Sequence, residues 1–165
     1  CIKGNGFGAL INNENVKYLV GKGGCNKYIA VYTENTFNKP QNCFNYSLYY
    51  FEIKCKFEGK LNKGDKWMSI AFKLSISFKN NDIFGCGLVY PPTNKLGKKE
   101  EFPYIFFTKN GKQIGKAILV KKNFCSFKPN VDLDCCSIEA NFGNNLEAKP
   151  FRYDISKHLV LKEFY

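Results

Sequence analysis

The pair Asn110-Gly111 constrains this chain most, because it sits between two stretches rich in aromatic and β-branched residues, 104–108 and 113–120. Both residues tolerate the positive φ that a two-residue type I′ turn demands, and the twist of that turn matches the twist of the strands it joins. The centre of the chain therefore reads as an antiparallel ribbon. Its neighbours follow the same period. Along 49–57, Tyr49, Phe51, Ile53, Cys55 and Phe57 point one way, and Tyr50, Glu52, Lys54 and Lys56 the other, which predicts a strand with one buried face. After a polar turn over 60–65, Met68, Ile70, Phe72 and Leu74 form a second inward face. Residues 83–89 make a third strand, in which Gly85 and Gly87 mark a close backbone approach or a bulge. Residues 137–142 alternate again, with Ile138, Ala140 and Phe142 inward, and 16–20 and 28–32 read as earlier strands separated by Gly21-Lys22-Gly23-Gly24.

The remaining segments read as connections. Residues 91–99 open on Pro91-Pro92 and form an exposed loop, 126–134 is loop-like around Pro129, and a helical turn falls near 156–161. No segment sustains a 3.6-residue apolar period. Many short strands broken by turn residues make a sandwich or a barrel, and strand order alone does not separate the two.

With 165 residues the chain is long enough for one domain that folds without staples. A hydrophobic content of 44% argues against disorder. No run of 18 apolar residues predicts a membrane-spanning helix, and the opening Cys1-Ile2-Lys3 lacks the regions of a signal peptide. The net charge of +11 points toward nucleic acid, but Arg152 is the only arginine among 25 basic residues. Arginine supplies the bidentate contacts to phosphate and base, so the scattered lysines read instead as a solvated surface. The 8 cysteines are irregularly spaced, include the adjacent Cys135 and Cys136, and contain no Cys-x-x-Cys. With His158 as the only histidine, this predicts mostly free thiols in a reducing compartment and no structural zinc, with Cys55 and Cys86 as small core residues. Two phosphate-binding motifs fail on context. Residues 4–9 fit a loose dinucleotide fingerprint without the preceding strand and following helix, and 109–116 lack the glycine and hydroxyl of a phosphate loop.

Taken in order, 83–88 (Ile-Phe-Gly-Cys-Gly-Leu), the hairpin over 106–115 and 138–143 (Ile-Glu-Ala-Asn-Phe-Gly) resemble the signature of the SPRY (B30.2-like) domain. Tyr49-Tyr50-Phe51-Glu52-Ile53 resembles the strand that opens the family's core. Met68-Ser69-Ile70-Ala71-Phe72 sits where the family has a glycine-rich strand, with Ser69 and Ala71 in place of the glycines. Residues 150–155 match the usual close, and 21–32 resemble the lead-in strands. The nearest flavour is the Ran-binding-protein-M-like branch, shared by SPRY proteins that plant-parasitic nematodes secrete into host cells. One departure is large: a long glycine- and tyrosine-rich hairpin of those relatives is replaced here by 73–82, while the loop over 91–103 looks longer than usual.

The resemblance implies a single domain over 1–165, with a homology core about 48–156 and lead-in strands in 1–47. The implied fold is all-β, a bent β-sandwich of two antiparallel sheets of the concanavalin-like jelly-roll kind. It implies a non-enzymatic module whose loops at one edge bind a protein or peptide partner, as an adaptor or as a secreted effector modulating host immunity. It further implies a monomer in the cytoplasm of its own cell or of a host cell, with no cofactor, no metal, no specific nucleic acid and no membrane insertion. The family's binding loops map onto Tyr32, Thr33, Glu34 and Asn35, onto Lys66 and Trp67, and onto Phe127, Lys128, Val131 and Asp132. Trp67, the sole tryptophan, falls opposite Met68 and Ile70 by alternation, and is either a partly exposed anchor or a cover for the outer sheet face. Two other readings stand beside the interaction module: a lectin-like carbohydrate binder, disfavoured by sparse acidic residues, and a lysine-rich binder of nucleic acid or an anionic surface.

Overall fold

The computed structural model describes residues 2–4, 7–10, 14–19, 29–33, 36–57, 67–70, 79–93, 101–121, 125–134 and 136–164. Among these residues, thirteen strands run in the order β1 (Ile2–Gly4), β2 (Phe7–Leu10), β3 (Asn15–Leu19), β4 (Ile29–Tyr32), β5 (Phe37–Asn38), β6 (Ser47–Lys56), β7 (Trp67–Ile70), β8 (Ile83–Tyr90), β9 (Tyr104–Lys109), β10 (Lys112–Leu119), β11 (Ser126–Phe127), β12 (Asn130–Asp134) and β13 (Ser137–Asn141). Two short 3₁₀ turns, Ile155–Lys157 and Lys162–Phe164, follow. No helix among the described residues is long and apolar enough to cross a membrane.

Every strand pair is antiparallel. Seven strands form one sheet in the order β10-β9-β8-β6-β13-β3-β2, and four form a second in the order β1-β4-β12-β7. A small ladder joins β5 to β11. The main core lies between the two large sheets: Ile29, Met68, Ile70, Val131 and Leu133 from the four-stranded sheet meet Phe51, Ile53, Cys55, Phe84, Cys86, Leu88 and Ile138 from the seven-stranded one. Face-to-face packing of two antiparallel sheets makes the molecule a sandwich, so the question that strand order left open is answered by the contacts of the core.

The Asn110-Gly111 turn is as its sequence requires, with φ of 50° and 80° at its two residues. Asp82 pins it. The carboxylate accepts from the Lys79 N–H at 2.8 Å and from the Asn110 side-chain amide at 2.9 Å, and pairs with Lys109 at 2.9 Å. Gly85 and Gly87 mark close approach, since β6–β8 and β8–β9 pair without a break in register. A Cβ on Gly85 would collide with the hydroxyls of Tyr50 and Thr108, and one on Gly87 with the Phe106 ring.

Three sequence expectations need correction. Residues 126–134 are not a loop: Val131 and Leu133 alternate inward, and β12 takes a central place between β4 and β7, so ladder bonds on both sides override the poor strand propensity of its Asn and Asp residues. The loop after β8 does not start exposed, because Pro91 is buried. The outer face of β6 is not solvated along its length: Tyr50 and Glu52 are 6% and 5% exposed. A second apolar cluster, built on Tyr50, Val89, Tyr104 and Phe106, lies on that outer face, and Phe151, Tyr153, Ile155, Val160, Leu161 and Phe164 of the C-terminal segment pack over it. Glu52 holds the segment, its two carboxylate oxygens accepting from the backbone N–H groups of Arg152 at 2.8 Å and Tyr153 at 2.9 Å. Phe72, Leu74, the turn over 60–65 and the glycines at 21–24 lie outside the described residues.

Candidate functional site

Four of the residues assigned to partner binding, Tyr32, Trp67, Val131 and Asp132, belong to strands of the four-stranded sheet. In β4, Ile29 and Val31 face the core, which leaves Ala30 and Tyr32 on the outer face; in β12, Val131 and Leu133 face the core, which leaves Asn130 and Asp132 outside; in β7, Met68 and Ile70 face the core, which leaves Ser69 on the same outer side. Register fixes their neighbours. Tyr32 stands opposite Asn130, and Asp132 is flanked by Ala30 on one side and Ser69 on the other. Because both flanking side chains are small and buried, the Asp132 carboxyl sits recessed between them, and burial raises its pKa.

The end of the sheet beside Tyr32 is tied down. The Thr33 N–H donates to the Pro129 carbonyl at 3.2 Å, and its hydroxyl reaches the same oxygen at 3.5 Å. Pro129 is buried, so the chain leaving β4 and the chain entering β12 are held side by side. The β5–β11 ladder extends this frame. The Phe37 ring stacks on Tyr49 at 4.9 Å and meets Phe127 at 6.4 Å, the Tyr49 hydroxyl donates to the Asn38 carbonyl at 2.8 Å, and the Lys39 N–H donates to the Cys125 carbonyl at 2.8 Å. These bonds fix the rim of the sheet before any partner arrives.

Tyr32, Thr33 and Lys128 share this end, with Asp132 two residues along the face. Two assigned residues play other parts. Val131 is 5% exposed and belongs to the core, where a partner cannot reach it. Phe127 is half-buried against the core and against Phe37, and acts as an anchor for the rim. The Trp67 backbone pairs with Asp134, at the end of the sheet away from Tyr32, about 13 Å distant along the strand direction at roughly 3.3 Å per residue. Glu34, Asn35 and Lys66 lie outside the described residues. Ala30, Ser69 and Asn130, which flank Asp132 and Tyr32, were not among the expected residues; Ala30 and Ser69 are buried like Val131 and frame the acid rather than face a partner. Alternation places each on an outward position, but the cross-strand register that sets them around Asp132 joins segments up to 100 residues apart and leaves no local signal.

Elsewhere among the described residues, Cys55, Cys86 and His158 are buried or engaged, while Cys125 is an exposed thiol. Burial pushes the Cys55 and Cys86 thiols up. Both ring nitrogens of His158 meet tyrosine hydroxyls on the far face of the other sheet, Tyr104 at 3.0 Å and Tyr153 at 2.9 Å. Among the described residues, no three His, Cys, Asp or Glu side chains converge as a metal site would need.

No family model and no curated protein matches the chain. Among solved structures, a human SPRY domain is similar, with a TM-score of 0.52 and 16% sequence identity, covering 81% of this chain and 94% of that one. At that identity the likeness is one of architecture. Two packed antiparallel sheets, with these strands in this order, give the chain the fold of a SPRY domain.

Proposed function

We propose that this chain is a non-catalytic protein-interaction module that receives a peptide or a folded partner at the Tyr32 end of its four-stranded sheet. The observation that carries the reading is the cross-tie of Thr33 to Pro129, which sets Tyr32, Lys128 and the recessed Asp132 on one rigid rim. A rim fixed in advance loses little conformational freedom on binding, so a few anchors suffice for affinity. Tyr32 offers an aromatic ring with a hydroxyl tip. Asp132 offers a partly desolvated carboxylate on a molecule of net charge +11, and it selects a cationic or amide group of the partner. The resemblance adds Glu34 and Asn35 to this rim and keeps Lys66 and Trp67 as a separate expected contact, since the Trp67 backbone pairs at the other end of the sheet. The likeness to a SPRY fold supports an adaptor role without chemistry of its own. Cys43, Cys55, Cys86 and Cys125 carry free thiols, which suits a reducing compartment such as the cytoplasm.

The test is selection of binders from a random-peptide display library on the intact chain, followed by affinity measurement against Tyr32→Ala, Asp132→Asn and Lys128→Ala. The reading expects losses of about 1–3 kcal/mol for Tyr32→Ala and Asp132→Asn, the range of a hot-spot truncation. Selected peptides that bind all three variants as tightly as the parent place the docking surface elsewhere.

A further inference from the structure

The C-terminal segment does more than close the chain. It covers the outer face of β6, β8, β9 and β10, and the only histidine of the sequence sits half-buried within that cover. The His158 ring stacks on Phe106 of β9 with centroids 4.0 Å apart. Its Nε2 lies 3.0 Å from the Tyr104 hydroxyl and its Nδ1 2.9 Å from the Tyr153 hydroxyl. The Leu161 N–H donates to the Tyr104 oxygen at 3.3 Å. Tyr104 is buried away from water, so its O–H is best served by donating to Nε2, which leaves Nδ1–H to donate to the half-buried Tyr153 hydroxyl. This is a network for a neutral imidazole. A second ring proton turns Nε2 into a donor facing a hydroxyl that was donating to it.

We propose that residues 155–164 form a proton-sensitive strap: held most tightly over the sheet while His158 is neutral, and loosened when the ring takes a second proton, so that the aromatic face of Tyr104 and Phe106 opens more often.

The surroundings give the imidazolium little compensation. From β9 the ring meets Tyr104 and the apolar Phe106. Around 151–157 lie Tyr153, Asp154 and Lys157; around 159–164 lie Lys162 and Glu163; from the β6 side come Tyr46, Tyr50 and Glu52; β8 contributes Val89, and β10 Ala117 and Leu119. Asp154, the acid nearest in sequence, is already engaged, bonded to the Ser156 hydroxyl at 2.6 Å and paired with Lys157 at 2.9 Å. These contacts hold its carboxyl down at about 2, so it keeps its charge while the histidine titrates. Burial raises Tyr104 and Tyr153, so both stay protonated. Burial lowers His158 below its ordinary 6.5. The docked state therefore binds fewer protons than the released one. Docking is at full strength above about pH 6.5, weakens as pH falls below that value, and stops weakening once the docked ring is itself protonated.

The experiment is nuclear magnetic resonance of the intact chain between pH 7.5 and 5. It follows the single histidine ring together with amide exchange, corrected for the intrinsic pH dependence. The strap expects His158 to titrate below 6.5, and protection of amides 155–164 to fall about tenfold for each unit of that depression. Amides of β8 and β9 keep theirs. In Tyr104→Phe, the partner of Nε2 is gone, so the ring titration and the loss of protection shift together. In His158→Phe, which keeps the stack and takes no proton, protection of the segment is independent of pH. A ring that titrates at or above 6.5 overturns the proposal, as does protection that ignores the titration, loss of protection in β8 and β9 at the same pH, or a Tyr104→Phe midpoint for the ring that shifts without the segment.

Discussion

At the scale of single residues, Asp82 and Gly87 show how much of this fold rests on small polar and empty spaces. Burial works against the charge of Asp82, but bonds from the Lys79 N–H, the Asn110 amide and Lys109 outweigh it and hold the carboxyl down at about 2. The folded-state pKa is depressed, so the stabilisation is present above about pH 4 and disappears as pH falls toward 2. Asp82→Ala removes the tie between β8 and the hairpin turn, and urea unfolding at pH 7 is expected to show a loss of about 2 kcal/mol, shrinking at pH 2.5. Gly87→Ala drives a methyl into the Phe106 ring, on which His158 is also stacked. Overpacking of this kind costs about 1–3 kcal/mol, read in the same unfolding assay.

At the scale of elements, the clearest dependence is that of the C-terminal segment on Glu52. Arg152 and Tyr153 donate their backbone N–H groups to one carboxylate, and the Tyr50 hydroxyl donates to it at 3.0 Å. Glu52→Ala leaves those donors without their acceptor. Limited proteolysis is then expected to cut within 151–164 while the sandwich itself resists, and unfolding stability falls by about 2–3 kcal/mol. The sequence marked Glu52 only as an outward position on an alternating strand. Alternation along 49–57 was legible because it is local, and the structure keeps its inward set of Phe51, Ile53 and Cys55. What covers the other side was not legible, since Phe151 and Tyr153 lie about 100 residues away and show no period of their own. The hairpin was legible for the opposite reason: a two-residue turn states its own geometry in Asn110 and Gly111. β12 failed the local test because Asn and Asp are poor strand formers and Pro129 precedes it. Its strand character comes from β4 and β7 on either side.

At the scale of the whole molecule, two faces are built for different ends. The outer face of β6, β8, β9 and β10 is covered by the C-terminal segment, with aromatic rings and buried hydrogen bonds. The outer face of the four-stranded sheet carries small residues around a recessed acid, next to a rim braced by Thr33, Pro129 and Phe37. The family resemblance pointed to this end of the sandwich through its loops. It did not place Trp67 at the far end of the sheet or Val131 in the core, because both depend on the register of β12. The most direct test of an interaction module working through this rim is chemical-shift mapping of the labelled chain during titration with a display-selected peptide. The account predicts the largest shifts at Tyr32, Thr33, Lys128 and Asp132, with Tyr153 and His158 unmoved at pH 7.5. Shifts confined to the C-terminal segment and β10, with the Tyr32 rim silent, contradict it.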